Sequence, residues 1–433
     1  MPPQVTSRVR LERRPGKSPA YDGRVASPAS LDLLEVTSVP FEAPASLLEL
    51  LPAQAPLAWT CGADGLVAWG EAARVELTGP DPFGQAQAWW SDVVSRSQVT
   101  DEVGVPGSGL VAFGSFAFDP AQTSSVLVVP QVLVGRRDGV AWVTYVGDRV
   151  DLTAPVPPKA PQGVSFADRS RSGPEWMGVV AEAVTRIESG AVDKVVLARD
   201  VEAVAEAPID VRWLLQQLAD RYEECWTFSV DGLVGATPEM LVRLRDGVAT
   251  SRVLAGTFWP SGDAAKDLRQ VDVLARSIKD IEEHGYGLRS VAEALEPHCA
   301  TIEVPAAPFV LELPNVIHLA SDVRGIVSDG SSSLQLIASL HPSAAVCGTP
   351  TDVARDTIRE IEGLDRGRYA GPVGWLDASG DGEWGIALRC GEVDGARVRL
   401  FAGCGIVVGS DPARELAETN AKLVPMRDAL TTL

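Results

Sequence analysis

The sequence predicts an α+β protein, a large mixed β-sheet with helices packed outside it, and three observations carry that expectation. Short β-branched and aromatic runs broken by Gly, Asp and Pro fill residues 45–150. From residue 174 onward, stretches of helical period interchange with strand-like runs. No internal repeat or heptad competes with that pattern. The chain has 433 residues, 45% hydrophobic and 22% charged. It is therefore globular in composition and long enough to bury a substantial core. Length alone suggests about three domains at roughly 150 residues each, but large mixed sheets exceed that size. One or two domains fit the pattern better.

Taken in order, residues 1–30 carry several Arg and no apolar run, and are expected to be a disordered tail rather than a secretory signal. Residues 31–152 form the mostly β part, with runs such as GLVAFGSFAF and VAWVTYVG. Pro, Ser and Gly in 153–175 break both periodicities and predict a linker or long connection. The region 176–433 opens with a helix over 175–189 and a strand over 194–204, and 210–223 again reads helical through Leu214, Leu215 and Leu218. A strand-rich stretch follows over 226–258, with a hairpin at Asp246-Gly247. The longest helix is expected over 264–295, its middle loosened by Gly285 and Gly287. Strands are expected over 315–326, 370–378, 384–392 and 396–407, and a terminal helix over 413–430. The region 176–433 is expected to form one structural domain with 31–152.

Charge narrows the function. Against 38 Lys and Arg stand 58 Asp and Glu, a formal charge of −20. No basic face for nucleic acid is expected from that balance. No apolar run approaches the roughly 20 residues of a membrane-spanning helix. The cysteines at 61, 225, 299, 347, 390 and 404 include no C-x-x-C pair, which fits unpaired thiols and a cytoplasmic protein. There is no phosphate loop, dinucleotide fingerprint, nucleophile elbow or H-E-x-x-H. His284, His298, His318 and His341 are not paired at ligand spacing.

What remains is acidic. Asp280 and Glu283 lie three apart on one predicted helix, and Glu415 and Glu418 do the same on another, so each pair shares a helical face. Four oxygen donors without Cys or His suit Mg²⁺; the bland alternative is two solvated acidic faces. The terminal pair follows AGCGIVVGSDP, with Gly403, Gly405 and Gly409 leading into a helix N-terminus able to hold an anion. Lys194 in DKVVLAR precedes an apolar run, so it is either a buried base or a strand-edge lysine reaching water. Glu239 in GATPEML is either a desolvated acid or a surface-turn residue. Read from composition and motifs alone, a Mg²⁺-dependent phosphoryl-transfer enzyme stands open, weakened by the missing phosphate loop.

The blocks DKVVLARDV, GATPEMLV, VLAGTFWPSGD, SIKDIEEH, NVIHLASDVRG, LHPSAAVCGTP, GRYAGPVGWLDASGDGEWGIALRC and AGCGIVVGSDPARELAETNAKL, in this order, resemble the chorismate-utilising enzyme family. Within it they look most like the isochorismate synthases of menaquinone or siderophore type. The resemblance runs from about residue 175 to the C-terminus. It implies an α+β fold of two large mixed or antiparallel sheets packed together with helices outside, and a Mg²⁺-dependent site for chorismate. In that family the lysine matching Lys194 activates water for attack at ring C2, and the glutamate matching Glu239 protonates the departing C4 hydroxyl. Glu283 and Glu418 would hold Mg²⁺ on the ring carboxylate, with Asp280 and Glu415 as water-mediated ligands. Tyr369, Arg389, the Gly403 and Gly405 backbone and Lys422 would meet the substrate carboxylates, while Gly256, Thr257 and His318 would line the site.

Lysine at 194 is unlike the amine-using anthranilate and aminodeoxychorismate synthases, and Ala255 is unlike the lysine common before the glycine in the latter. No glutaminase subunit is expected. Phe258 stands where many members carry Arg. Salicylate synthases, which go on to eliminate pyruvate, share the lysine and glutamates and are the nearest alternative; a non-catalytic chorismate-binding protein is the alternative of another class. The expected assembly is a monomer or weak homodimer.

Overall fold

β-branched and aromatic runs make strands that bury one face or both, and the computed structural model assembles them into two sheets of 13 and 10 strands. It describes residues 33–150, 152, 156–258, 278–313 and 316–431, with side chains described except at 255–258, 278–283, 312–313, 316 and 318. The expected tail, residues 1–30, lies outside the described residues.

The first sheet runs from Ser165–Asp168 through Lys194–Val204, Arg397–Ile406, Cys390–Asp394, Leu233–Thr237 and Trp226–Val230. It continues through Leu57–Cys61, Asp64–Trp69, Val132–Arg137, Val140–Val146, Leu34–Pro40 and Ser97–Asp101. The two parts of the sequence are thus stitched together where Phe228 pairs with Trp59. The second sheet also draws on both parts, joining Val316–Val327, Val248–Phe258, Met240–Arg245, Gly382–Ile386 and Pro372–Asp377 to Val111–Ser115, Ser125–Val129 and Ala73–Leu77. Among the described residues, pairing is antiparallel in both sheets apart from Leu34–Pro40 with Ser97–Asp101.

Trp59, Phe113, Phe228, Trp375 and Trp384 are buried in one core cluster. One buried carboxylate pins the sheets together. Glu383 of the second sheet accepts from Trp59 Nε1 (2.9 Å) and Arg137 (3.0 Å) of the first, and from Arg243 (3.1 Å) of its own. Burial pushes the Glu383 carboxyl up, but the two guanidiniums and the indole outweigh it, and the net shift is downward.

The helices start where side chains can satisfy their first N–H groups. Ser172 and Glu175 form a capping box for helix Gly173–Glu188, and Asp210 caps Val211–Arg221. Helix Pro412–Leu430 begins at Asp411, whose carboxylate accepts from Arg414 N–H at 2.9 Å. That acidic cap claims one of the first-turn donors.

Other differences have physical reasons. The strand expected over 384–392 is two strands, because the chain leaves one sheet for the other at 387–389. Part of the expected connection is structured: Ser165–Asp168 pairs with Val201–Val204. Helix Pro82–Ser95 was not foreseen in the β part; Asp81 caps it and Trp90 anchors it to the Asp377 carbonyl. Of the expected long helix, Ile278–Leu295 is described and residues 264–277 lie outside the described residues. Gly285 and Gly287 do not interrupt it. At Gly287 the missing side chain lets the helix approach the sheet, since a Cβ there would lie 2.8 Å from Val253 Cγ1. All six cysteines are free, and no described helix is long and apolar enough to cross a membrane.

Candidate active site

Two strands of the first sheet continue into two strands of the second at neighbouring points. Leu233–Thr237 passes through Pro238 and Glu239 into Met240–Arg245, and Gly382–Ile386 returns through 387–389 to Cys390–Asp394. The ladders on either side pair Gly235 with Cys390 and Met240 with Gly385. Between those pairs these two strands do not pair regularly with each other, and there Glu239 and Arg389 stand. Ile386 N–H bonds the Glu239 carbonyl at 3.1 Å, and Ala236 N–H bonds the Arg389 carbonyl at 3.3 Å. Arg389 has φ +49°, the left-handed region that a non-glycine residue rarely occupies.

Glu239 is only 6% exposed. Burial pushes its carboxyl up to about 7, although Lys194, Arg389 and Lys422 each pull it down. The surface-turn alternative for Glu239 is therefore excluded. Arg389 keeps some accessible surface but is desolvated enough to lower its guanidinium pKa, against the raising influence of Tyr369, Cys225, Glu418 and Glu239. Among the described residues it makes no ion pair. A guanidinium in such a recess presents a planar fork of donors that suits a carboxylate.

Lys194 begins strand Lys194–Val204 and is 3% exposed, so it does not reach water from a strand edge. A two-residue strand, Gly348–Thr349, covers it, with Lys194 opposite Thr349. On the other side Val196 pairs with Gly405 and Ala198 with Gly403. Alternate residues share a face, so Lys194 stands on the same face as these two glycines. Tyr369 lies over that face, stacked on Phe401 at 5.1 Å. A Cβ at Gly403 would fall 2.9 Å from the Leu197 carbonyl and 3.1 Å from Tyr369 Oη. Burial pushes the Tyr369 phenol up, which keeps it a neutral hydrogen-bond donor.

Glu415 lies on the buried stripe of helix Pro412–Leu430, and Glu418 is partly exposed. Both raise the Cys404 thiol, behind burial as the main cause. Lys422 donates to the Gly403 carbonyl at 2.9 Å and pairs with Glu418 at 2.7 Å. Carboxylate oxygens such as those of Glu415 and Glu418 are of the kind Mg²⁺ accepts. Asp280 and Glu283 lie on helix Ile278–Leu295, but their side chains lie outside the described residues. Among the described residues, no group of three or more His, Cys, Asp or Glu comes together as a metal site.

Gly256, Thr257 and His318 share one place in the second sheet. A register shift between Ala255 and Thr257 brings Thr257 opposite His318. The side chains of Thr257, Phe258 and His318 lie outside the described residues. The structure thus gathers Lys194, Glu239, Arg389, Tyr369, Gly403, Gly405, Glu418 and Lys422. Glu362 and Arg366 carried no sequence signal that set them apart.

Residues 148–431 match the family model described as chorismate binding enzyme. The chain belongs to this family. It is 41% identical over 268 residues to isochorismate synthase DhbC of Bacillus subtilis, covering 59% of this chain and 67% of that one. Among solved structures, a putative 2,3-dihydroxybenzoate-specific isochorismate synthase of Bacillus anthracis superposes with TM-score 0.75 at 32% identity, covering 88% of this chain and 98% of the other. The menaquinone-specific isochorismate synthase MenF of Escherichia coli superposes with TM-score 0.77 at 25% identity, covering 92% and 95%. Every gathered site residue of this chorismate-binding enzyme falls within the matched span.

Proposed function

We propose that the chain is an isochorismate synthase, an isomerase that converts chorismate to isochorismate and feeds menaquinone or catechol siderophore synthesis. The names of its relatives support that activity. The observation that carries the site assignment is the junction between the sheets, where a carboxyl titrating near neutrality stands among Lys194, Lys422 and Arg389, which makes no ion pair among the described residues.

Chorismate is a dianion, and Arg389 offers a planar fork for one carboxylate. Tyr369 and the backbone at Gly403 and Gly405 complete that recognition. Lys194 takes a proton from water as its oxygen bonds to C2. The ring double bonds shift, the C4–O bond breaks, and Glu239 gives its proton to the departing oxygen. One water enters and one leaves. Glu239 suits this role because it keeps its proton up to about pH 7.

Glu418 and Glu283 would hold Mg²⁺, with Asp280 and Glu415 through water. When bound, the ion would neutralise the ring carboxylate and favour withdrawal of electrons from the ring. Gly256, Thr257 and His318 are proposed to line the pocket. The reading treats 31–152 and 176–433 as one structural domain, supported by two sheets that each take strands from both. It also places the protein in the cytoplasm, acting without a glutaminase.

Purified protein is incubated with chorismate, with and without Mg²⁺, and isochorismate, salicylate and pyruvate are separated over time. Mg²⁺-dependent isochorismate without matching pyruvate is the expected result. Pyruvate and salicylate rising together would make the chain a salicylate synthase, and no product would make it a binding protein.

A further inference from the structure

Strand Lys194–Val204 is fully paired on one edge but not on the other. Gly348–Thr349 covers Lys194 and Val195, and Ser165–Asp168 covers Val201 to Val204. Among the described residues no strand pairs with the edge between them. Buried backbone groups left unpaired there would carry the full cost of their desolvation. Side chains take the missing strand's place. Ala198 N–H bonds Glu362 Oε2 at 2.7 Å, the Val196 carbonyl accepts from Arg366 at 2.7 Å, and the Ala198 carbonyl accepts from Trp176 Nε1 at 2.9 Å.

Glu362 and Arg366 are 1% and 3% exposed and bond each other twice, at 2.7 and 2.6 Å. Arg366 also bonds the Val346 carbonyl at 2.9 Å, and its guanidinium lies 4.1 Å from the centre of the Phe118 ring. Its own carbonyl accepts from Tyr369 N–H at 3.1 Å. One guanidinium therefore grips the chain two residues after Lys194 and three residues before Thr349, the residue opposite Lys194. The same residue fixes the turn that presents Tyr369.

We infer that Glu362 and Arg366 are positioning residues, a buried clamp that sets Lys194 and Tyr369 in register across the site. The inference rests on the proposed role of Lys194 as base. A clamp of this kind acts on the chemical step more than on substrate capture, so its loss lowers kcat with little change in KM.

The test compares wild type, Lys194→Ala, the double variant Glu362→Gln/Arg366→Met and the conservative variant Arg366→Lys, which keeps the Glu362 carboxylate opposite a cation. The double variant leaves no unpaired buried charge and keeps an oxygen for Ala198 N–H, so it is chosen to fold. Each is read as kcat and KM per folded molecule, with a pH–rate profile and a melting temperature. For the double variant, kcat falls by at least about tenfold with KM within about twofold. Its pH profile is displaced, and Arg366→Lys shows a smaller loss. A double variant with wild-type kcat and pH profile and only a lowered melting temperature would overturn the clamp while leaving an inactive Lys194→Ala to uphold the base. Full activity in Lys194→Ala would remove the base reading and the clamp with it.

Discussion

Glu239 and Arg389 stand at neighbouring crossings where two antiparallel strands leave one sheet for the other, each in the gap between two regular ladders. Regular pairing would have turned their side chains to the faces of the sheet. The gap instead lets a carboxyl and a guanidinium converge, and burial raises the carboxyl further than the nearby cations lower it.

That raised value makes a prediction about stability. The folded chain holds the Glu239 proton to about pH 7, against an ordinary value of 4.5. Its contribution is complete below pH 4.5 and is lost as pH rises to about 7, where the buried carboxylate begins to carry its full cost. At roughly 1.4 kcal/mol per pKa unit, the loss is on the order of 3 kcal/mol. Glu239→Gln flattens this segment of a stability–pH curve measured by denaturant unfolding from about pH 5 to pH 8. An unchanged slope would show that Glu239 does not titrate there.

Removing the proposed base or acid stops the chemistry without unfolding the chain. Lys194→Ala and Glu239→Gln each lower kcat by roughly 10²- to 10⁴-fold with circular dichroism unchanged. Near-wild-type turnover in either variant contradicts its role. In wild type, turnover also declines as pH rises through about 7, because Glu239 must be protonated to donate.

Arg389 is expected to contribute geometry as well as charge. Arg389→Lys keeps the charge and loses the planar fork, so kcat/KM falls by roughly 10- to 100-fold, mostly through KM. Steady-state kinetics over a range of chorismate concentrations check this. Equal KM values would mean that Arg389 does not hold the substrate.

The bare strand face at Gly403 is a second constraint. In Gly403→Ala the new methyl meets the Leu197 carbonyl and Tyr369 Oη at 2.9 and 3.1 Å. Backbone cannot yield cheaply, so Tyr369 is displaced and stability falls by about 1–3 kcal/mol. A melting curve together with KM distinguishes this from a harmless substitution.

The sequence disclosed much of this and missed what depends on distant partners. The strand at 194–204 and the helix following Ser172 follow from local periodicity and capping, and both match the structure closely. The burial of Lys194 did not follow, because its cover is a two-residue strand some 150 residues onward, too short to have a period. The break at 387–389 was equally hidden. Arg389 adopts a positive φ without the glycine that usually signals one. Nothing local marks Glu362 and Arg366 for burial, because the groups they satisfy lie on a strand edge some 165 residues earlier. For Glu239, the apolar neighbours left burial and a turn equally open until both sheets were placed.

The central claim is that Lys194 brings a new oxygen to C2 while Glu239 releases another from C4. Turnover of chorismate in water enriched in ¹⁸O, followed by mass spectrometry of the isochorismate, tests it directly. The account predicts one ¹⁸O per product molecule, located at C2. Product without ¹⁸O would mean that the hydroxyl migrates within the substrate, and the roles given to Lys194 and Glu239 would be wrong.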